Sequence, residues 1–430
     1  MLDKVRFSMF LTLAGCAIAA TAQVPAALPA PELLRLSRQQ AIDEALARNR
    51  ALAAARAQVE EARASVVSAA AYADPTIAAD VAGQTNVLNP ASGKASDQGV
   101  GVTVPFPGKT GLRRAAAIGG LRAAEFNVTQ LRQQIGSQTA QAYDAILVSV
   151  RHREDLQQSK QLAADFVQKT QARFLAGTVA KVDVVKAQTD FAQAENDLIA
   201  NERAIATARA SLNRLLGRMG GAPLETTDTL AVPGPIASIE TLARVAENSR
   251  PEIQSLTAQL EAARAATRLA HEYWLPDVSV TLSRNAVMGT PTTYTSAIGF
   301  GVPIFFWQHQ RGEVALAMHR EEELTANILD IRAQVNLDVQ TAFASASTAI
   351  RQAIFIRDQL LPQAREVYRV ASVSYGLGGA SALDLLDAKR TLLAAESQYV
   401  DALGAANDAL AALELAIGAH LPPAAPGEQQ

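Results

Sequence analysis

The strongest constraint on how this chain folds is that it contains the same unit twice. At a constant offset of 201 residues, equivalent residues of the two halves meet: Tyr72 and Tyr273, Pro75 and Pro276, Phe174 and Tyr375, Gly177 and Gly378, Asp183 and Asp384. Self-similarity over this distance indicates that a whole structural unit has been duplicated. We therefore predict two equivalent repeats, at 36–218 and 237–419, and one architecture must suit both.

The segments outside the repeats have a different composition. Residues 219–236 are rich in glycine and proline, which interrupt regular structure and predict a linker. Residues 420–430 are rich in proline, alanine and glutamine and predict a disordered tail.

Each repeat is predicted to run helix–strand–strand–helix. In the first repeat, Ser37 is a suitable N-cap for a helix that continues to about residue 72, before Pro75. Period-two alternation then predicts two strands. On the first strand of the second repeat, Val278, Val280 and Leu282 oppose Asp277, Ser279 and Thr281.

Long helical tracts follow the strands, at about 112–175 and 311–375. Pro362 predicts a break in the second tract, because proline cannot donate a helical hydrogen bond. Gly177 and Gly378 predict tight reversals into the last helix of each repeat. Aromatic residues are only 5% of the chain and alanine is abundant, which favours closely packed, coiled-coil-like helices.

The strands limit where the chain can reside. Two strands per repeat do not form a stable sheet alone, and an open sheet edge in lipid leaves backbone groups unsatisfied. Four strands per chain are too few for a membrane barrel, whereas three chains would supply twelve. The alternative is a soluble α+β protein whose hairpins cap its own helical bundle.

Several function classes find no support in the sequence. The net charge of −3 has no single-sign bias, so a nucleic-acid partner is not expected. The five histidines form no i,i+4 pair, and there is neither a phosphate-binding loop after a strand nor a nucleophile elbow. No catalytic residue, cofactor or fixed metal site is predicted.

The N-terminus predicts export from the cytoplasm. Lys4 and Arg6 precede an apolar run that is too short to span a membrane, as in a secretory signal. Two cleavage sites are open. Residues 1–22 fit a signal peptide cleaved after Ala22, whereas residues 13–16 resemble a lipobox, in which case the signal is 1–15 and Cys16 becomes a lipidated N-terminus.

With these features, the chain resembles the TolC-type outer membrane factors. The resemblance extends over nearly the whole mature chain and is carried by the motifs at 174–177, 182–184, 375–378 and 383–388. Within that family, the segments 104–109, 302–305 and 310–313 resemble the heavy-metal branch, which works with resistance-nodulation-division pumps.

The resemblance implies a mainly α fold with a membrane β-barrel. It implies a homotrimer with a twelve-stranded barrel in the outer membrane lipid of a Gram-negative bacterium and a helical barrel through the periplasm. The partners would be a periplasmic adaptor protein and an inner-membrane resistance-nodulation-division pump, and the function would be passive export, with heavy-metal cations as candidate substrates. A non-channel periplasmic coiled-coil scaffold protein is the alternative.

The resemblance also implies a channel constriction at the periplasmic entrance. Asp384 and Asp387 match its acidic ring, and Tyr375 and Asp183 match positions that pair around the gate. The chain departs from the family at Ala380, where an arginine clamps the closed state in well-known members. A simpler alternative is that Asp183 and Asp384 N-cap their helices.

Gly177 and Gly378 would lie at the periplasmic tips, where the resemblance places the adaptor contacts. A tight reversal alone also explains both glycines.

Overall fold

A computed structural model describes residues 33–82, 95–287, 290–301 and 306–422. The signal segment with Cys16, the tail from residue 423 and the motif at 302–305 lie outside the described residues.

The two repeats have the same order of elements. The first contains β1 (Leu34–Leu36), α1 (Arg38–Arg48), α2 (Arg50–Ala70), β2 (Thr76–Ala82), β3 (Ala95–Val104), α3 (Lys109–Leu175) and α4 (Lys181–Leu215). β4 (Leu224–Thr226) follows in the linker, and the second repeat contains α5 (Ile239–Ser249), α6 (Pro251–His271), β5 (Asp277–Val287), β6 (Thr293–Gly301), α7 (Phe306–Phe355), a π-helical segment (Ile356–Leu360), α8 (Leu361–Leu377) and α9 (Ala382–Ile417).

The first helix of each repeat is interrupted, which differs from the prediction of one helix from Ser37 to about residue 72. Ser37 is the N-cap of α1, as predicted, and forms a capping box with Gln40. Asn49 then leaves the helical conformation, and its side chain accepts a hydrogen bond from the Ala51 amide. The helix therefore ends and restarts at Asn49, because asparagine caps a new helix more favourably than it continues an old one.

Similar contacts fix both interruptions. The Asn49 side chain donates to the Leu215 carbonyl at 3.0 Å, and the Arg250 guanidinium donates to the Leu415 carbonyl at 3.0 Å. Gly217 and Gly418 end the returning helices with φ angles of 69° and 67°. In both halves the start of the second helix is therefore joined to the end of the last helix, although different side chains make the connection.

The long helices pack at short range, as the alanine-rich composition predicts. A Cβ at Gly119 would lie 2.7 Å from the Ala262 Cβ, and one at Gly404 would lie 2.7 Å from Val148 Cγ2. The helical backbone continues through Pro362, and the irregularity is the π-helical segment immediately before it. None of the helices in the described ranges is sufficiently long and apolar to cross a membrane.

The four long strands form one antiparallel sheet in the order β2-β3-β5-β6. The register is continuous, with Val102 opposite Val280 and Val280 opposite Ile298. One face carries an apolar band: Ile77, Val100, Val102, Val104, Val278, Val280, Leu282, Ile298 and Phe300. Most of these side chains are exposed in the single chain, which confirms the predicted alternation, and the described residues do not cover the band.

The linker is held against the middle of the first repeat. β1 pairs in parallel with β4, and the buried Tyr143 hydroxyl donates to the Leu36 carbonyl at 2.9 Å. The same hydroxyl accepts hydrogen bonds from the amides of Thr227 and Asp228. One buried side chain therefore joins β1 to the linker.

Candidate functional site

The candidate site is the tip of the helical region, where α3 turns into α4 and α8 turns into α9. Gly177 and Gly378 adopt left-handed backbone conformations, with φ of 75° and 81°. Their amides donate to the carbonyls of Phe174 at 2.9 Å and Tyr375 at 3.1 Å. Other residues rarely adopt this conformation, so glycine is required at both reversals whatever else the tips bind.

The tip also exposes apolar side chains that the sequence analysis did not select. Leu175, two residues before Gly177, is 81% exposed, and Leu377, directly before Gly378, is 85% exposed. Val182 and Leu383, at the starts of the returning helices, are exposed as well. Both tips therefore present an aliphatic surface to solvent, and the available signal in the sequence was the pair of aliphatic residues at the equivalent positions Val182 and Leu383.

Tyr375 lies inside the subunit and is 2% exposed. Its hydroxyl lies 3.1 Å from Thr170 Oγ1, and its ring is tilted against Phe166 at a centroid distance of 5.6 Å. The Arg173 guanidinium lies 4.7 Å from the ring centroid and donates to the Tyr375 carbonyl at 2.8 Å. Arg173 thus fastens the end of α8 to α3.

Asp183 and Tyr375 are not brought into contact within one described chain. Among the described residues, the Tyr375 hydroxyl contacts Thr170, and the Tyr375 carbonyl accepts hydrogen bonds from Arg173 and from the Gly378 amide. Asp183 is half-buried in the first turn of α4, where Ala180 is the N-cap and provides no side-chain bond. The alternative that Asp183 caps its helix is therefore wrong.

Asp384 is also not an N-cap, because Ser381 occupies that position in α9. The Ser381 hydroxyl donates to Asp384 Oδ2 at 2.7 Å and the Ser381 amide donates to it at 2.9 Å. These hydrogen bonds favour the charged carboxylate and hold the pKa of Asp384 below its usual range. Asp384 is the third helical residue of a capping box.

Asp384 and Asp387 share one exposed face of α9, since residues three apart are neighbours on a helix. Leu385 and Leu386 face the other way, into a core that includes Phe166. The buried leucines fix the rotation of the helix, so both carboxylates point away from the subunit's own core. Such a pair attracts cations without enclosing them.

A buried ion pair behind the tip was not predicted. Lys389 Nζ donates to Asp190 Oδ2 at 2.6 Å, with the lysine side chain only 5% exposed. The pair joins α9 to α4 across the two repeats. The equivalent positions, Gln188 and Thr391, are uncharged, and this complementary difference between the copies was the available signal.

A second polar cluster lies in the middle of the subunit. The buried Asp144 carboxylate meets the Arg38 guanidinium at 3.2 Å, with Asp228 and Asp408 close enough to interact electrostatically. Burial raises the pKa of Asp144 to about 6, although the charge of Arg38 opposes this effect.

No group of three or more histidine, cysteine or acidic residues in the described ranges has the arrangement of a metal centre. His152 is paired with Asp401 at 2.9 Å, and His319 with Glu322 at 2.9 Å. The described tip offers electrostatic attraction and an apolar surface, neither of which is bond-making chemistry.

The family follows from comparison with known proteins. The family model described as "Outer membrane efflux protein" matches residues 41–218 and 242–419, once in each half of the chain. This chain belongs to the outer membrane efflux protein family. The resemblance to TolC-type factors is therefore confirmed, together with the class of fold, a helical barrel combined with a β-barrel.

Two curated relatives cover most of the chain. The cobalt-zinc-cadmium resistance protein CzcC of Cupriavidus metallidurans is 25% identical over 329 residues, which are 76% of this chain and 78% of CzcC. The pyoverdine export outer membrane protein OpmQ of Pseudomonas aeruginosa is 25% identical over 404 residues, which are 87% of this chain and 82% of OpmQ.

A solved structure shares the fold. The outer membrane protein VceC from Vibrio cholerae superposes with a TM-score of 0.76 at 19% identity, covering 90% of this chain and 97% of VceC. The chain is thus an efflux channel protein of the Gram-negative outer membrane that extends into the periplasm. These matches are to channel proteins, and none indicates an enzyme family.

Proposed function

We propose that three copies of this chain form the passive exit duct of a tripartite efflux system. The observation that carries the proposal is the sheet β2-β3-β5-β6, in which β2 and β6 each have one neighbour within the described chain. Three such sheets, joined from β2 to β6, would make a closed barrel of twelve strands. Closure removes the open edges that lipid does not tolerate, and it turns the apolar band toward the lipid.

The carboxylates of Asp384 and Asp387 would form the acidic constriction at the periplasmic entrance. Both are exposed on the α9 face that leads away from the core, and threefold symmetry would bring six carboxylates together. The Arg173 contacts with Tyr375 offer one means of holding this tip closed where Ala380 replaces the family's arginine. Opening would then require α8 to separate from α3, with Tyr375 and Asp183 at the moving edge.

Planar-bilayer recording tests this constriction. With both Asp384 and Asp387 changed to asparagine, cation selectivity and block by multivalent cations should fall, because the attracting field is lost. Glu202→Gln removes one exposed carboxylate from the side of α4 and should change neither property. Unchanged selectivity in the double variant would refute the assignment.

The two tips would bind a periplasmic adaptor protein, which couples the duct to an inner-membrane resistance-nodulation-division pump. The turns at Gly177 and Gly378 each place an exposed leucine beside the reversal, Leu175 in the first tip and Leu377 in the second. Aspartate at both leucines should abolish adaptor capture, since burial of aliphatic surface drives such contacts. Conductance of the variant should persist, which distinguishes lost docking from misfolding; retained capture would contradict the proposal.

Heavy-metal cations are the proposed cargo, supported by the likeness to CzcC and the acidic tip. Deletion of the gene should lower tolerance to divalent metals, and the Asp384 and Asp387 double variant should restore less tolerance than the native chain. Pyoverdine-type export, suggested by OpmQ, predicts unchanged metal tolerance instead. A non-channel scaffold protein predicts no conductance at all.

Mass spectrometry of the mature N-terminus distinguishes the two processing routes. An acylated Cys16 gives a chain that begins at that residue, whereas cleavage after Ala22 gives one that begins at Gln23. We retain both routes as proposals.

A further inference from the structure

The apolar band ends in a polar cluster on the side of the hairpin loops. Arg284 of β5 lies opposite Gln98 of β3 and opposite Tyr294 of β6. Because side chains alternate along a strand, Arg284 shares the face of Val280 and Leu282. A guanidinium, a phenol and an amide therefore stand in a row at one end of the lipid-facing surface.

The level of this row in the membrane follows from strand geometry. Val278 to Arg284 is roughly 20 Å along β5 at about 3.3 Å per residue. With a strand tilt of about 40°, the rise is roughly 15 Å within an apolar band about 25 Å tall. The exposed Tyr273 and Trp274 precede β5 on the helical side, so they mark the periplasmic boundary. Arg284 and Tyr294 accordingly lie in the outer half of this band, from which a long arginine side chain extends toward the headgroups of the outer leaflet.

A groove with a volume of about 640 Å³ crosses the sheet at this level. Its side chains on the outer face come from all four strands: Ile77, Ala79, Gln98, Val100, Leu282, Arg284, Tyr294 and Ser296. Each strand contributes three consecutive residues to the lining, and the first and third of these belong to the outer face. The groove therefore lies on the same side of the sheet as the apolar band. The groove is apolar over Ile77, Val100 and Leu282 and polar at Arg284.

The order of these groups matches one amphiphilic ligand. An arginine facing lipid is costly, and no ion pair joins Arg284 to a carboxylate among the described residues. A guanidinium binds phosphate through two parallel hydrogen bonds, and a tyrosine at the interface can add a third. On the closed barrel proposed above, on which this inference rests, we propose that the groove binds one anionic phosphate-bearing lipid of the outer leaflet, with its phosphate on Arg284 and Tyr294 and an acyl chain over Val100 and Leu282.

Native mass spectrometry of the purified channel tests the site. The protein in detergent is titrated with phosphatidylglycerol or with phosphatidylcholine of the same acyl chains. The native chain should retain phosphatidylglycerol about tenfold more tightly, because its phosphate charge is not opposed by a headgroup cation as it is in phosphatidylcholine. Arg284→Gln should reduce this preference to near unity, whereas Arg284→Lys should keep part of it.

Matched controls separate the site from general charge effects. Arg203→Gln removes one exposed arginine from α4 and should leave the preference unchanged. Leu282→Ser should weaken retention of both lipids while the preference persists, which tests the acyl part if Arg284→Gln assembles poorly. Inorganic phosphate should not displace the lipid, because it lacks the acyl chain.

Equal preference in the native chain and Arg284→Gln would overturn the proposal, as would displacement by inorganic phosphate. Single-channel conductance of Arg284→Gln should match that of the native chain. Loss of lipid preference with normal conductance therefore leaves the exit duct intact, whereas failure of the duct itself appears as lost conductance in the native chain.

Discussion

The two helical tips share a backbone but differ in chemistry. Gly177 and Gly378 make the same turn, yet Ala180 begins α4 without a side-chain cap, whereas Ser381 begins α9 with a full capping box. The second tip also carries two exposed carboxylates and the buried Lys389. Duplication therefore preserved the scaffold, and the functional groups became concentrated in one copy.

In the sheet, by contrast, the strands of the two copies have kept the same chemistry. The first strands of the two copies, β2 and β5, both alternate and contribute equivalent positions to one face, with Ala79 corresponding to Val280. Membrane burial acts on every strand equally, so both copies face the same constraint. The tips bear different contacts and were free to diverge. Substitutions at equivalent positions should therefore have unequal effects at the tips and similar effects in the sheet.

The largest inequality is expected at the buried ion pair. Lys389→Ala leaves Asp190 without its partner in a buried setting and should cost about 3–5 kcal/mol. The equivalent change, Gln188→Ala, should cost well under about 1 kcal/mol, since it is an ordinary exposed helical position. Thermal unfolding of the two variants measures the difference. Equal losses would mean that Lys389 and Asp190 do not hold α9 to α4.

Equal effects are expected in the sheet. Val280→Lys and Ala79→Lys each place a charge on the lipid side and should cost about 2–4 kcal/mol near the midplane, lowering the yield of assembled channel. Thr281→Lys points to the other face and should assemble normally. Assembly yields in detergent decide the question, and normal yields for both lipid-side variants would show that the faces are reversed.

A pH effect should occur in the first copy alone, because Asp144 corresponds to Ser345 in the second. Burial raises the pKa of Asp144 to about 6, so its favourable neutral form is fully present below about pH 4. That contribution is lost as pH rises through about 6. Unfolding free energy should therefore fall by up to about 3 kcal/mol between pH 4 and 7.5, and Asp144→Asn should flatten the change. If the unfolding free energy of the native chain does not fall between pH 4 and 7.5, the prediction is wrong.

The smallest effect concerns the caps of the returning helices. Ser381→Ala should lower the free energy of unfolding by about 1 kcal/mol, because the cap of α9 is lost. Ala180→Ser should raise it by a similar amount, because α4 gains a cap. Because the pKa of Asp384 is lowered, its bonds to Ser381 contribute above about pH 4 and are lost as the pH falls further. Hydrogen exchange at the start of α9 measures both effects; protection unaltered by Ser381→Ala would contradict the capping box.

The sequence predicted most of the fold because its signals are local. Period-two alternation places Val280 on one face without knowledge of its neighbours, and the left-handed turns require Gly177 and Gly378. Asn49 was missed because one polar residue in an alanine-rich run does not reveal whether a helix ends.

The site was less predictable because it depends on contacts between distant residues. Ser381 and Asp384 are both good capping residues, so only the backbone decides which is the N-cap. Arg173 over Tyr375, and Lys389 against Asp190, join residues about 200 apart in the chain. Such pairs depend on how the two repeats dock.

Inter-subunit disulfide formation tests barrel closure most directly. Cysteines at Ala78 on β2 and Ala297 on β6 lie on the same face, but on opposite edges of one subunit's sheet. The register between subunits is found by testing a small set of cysteine pairs, each shifted along these two strands. If three subunits close the barrel, one of these pairs should give a covalent trimer on oxidation in the membrane. A variant that carries only one of the two cysteines should not form a covalent trimer. Formation only of disulfides within one water-soluble chain, without covalent trimers, would contradict the account.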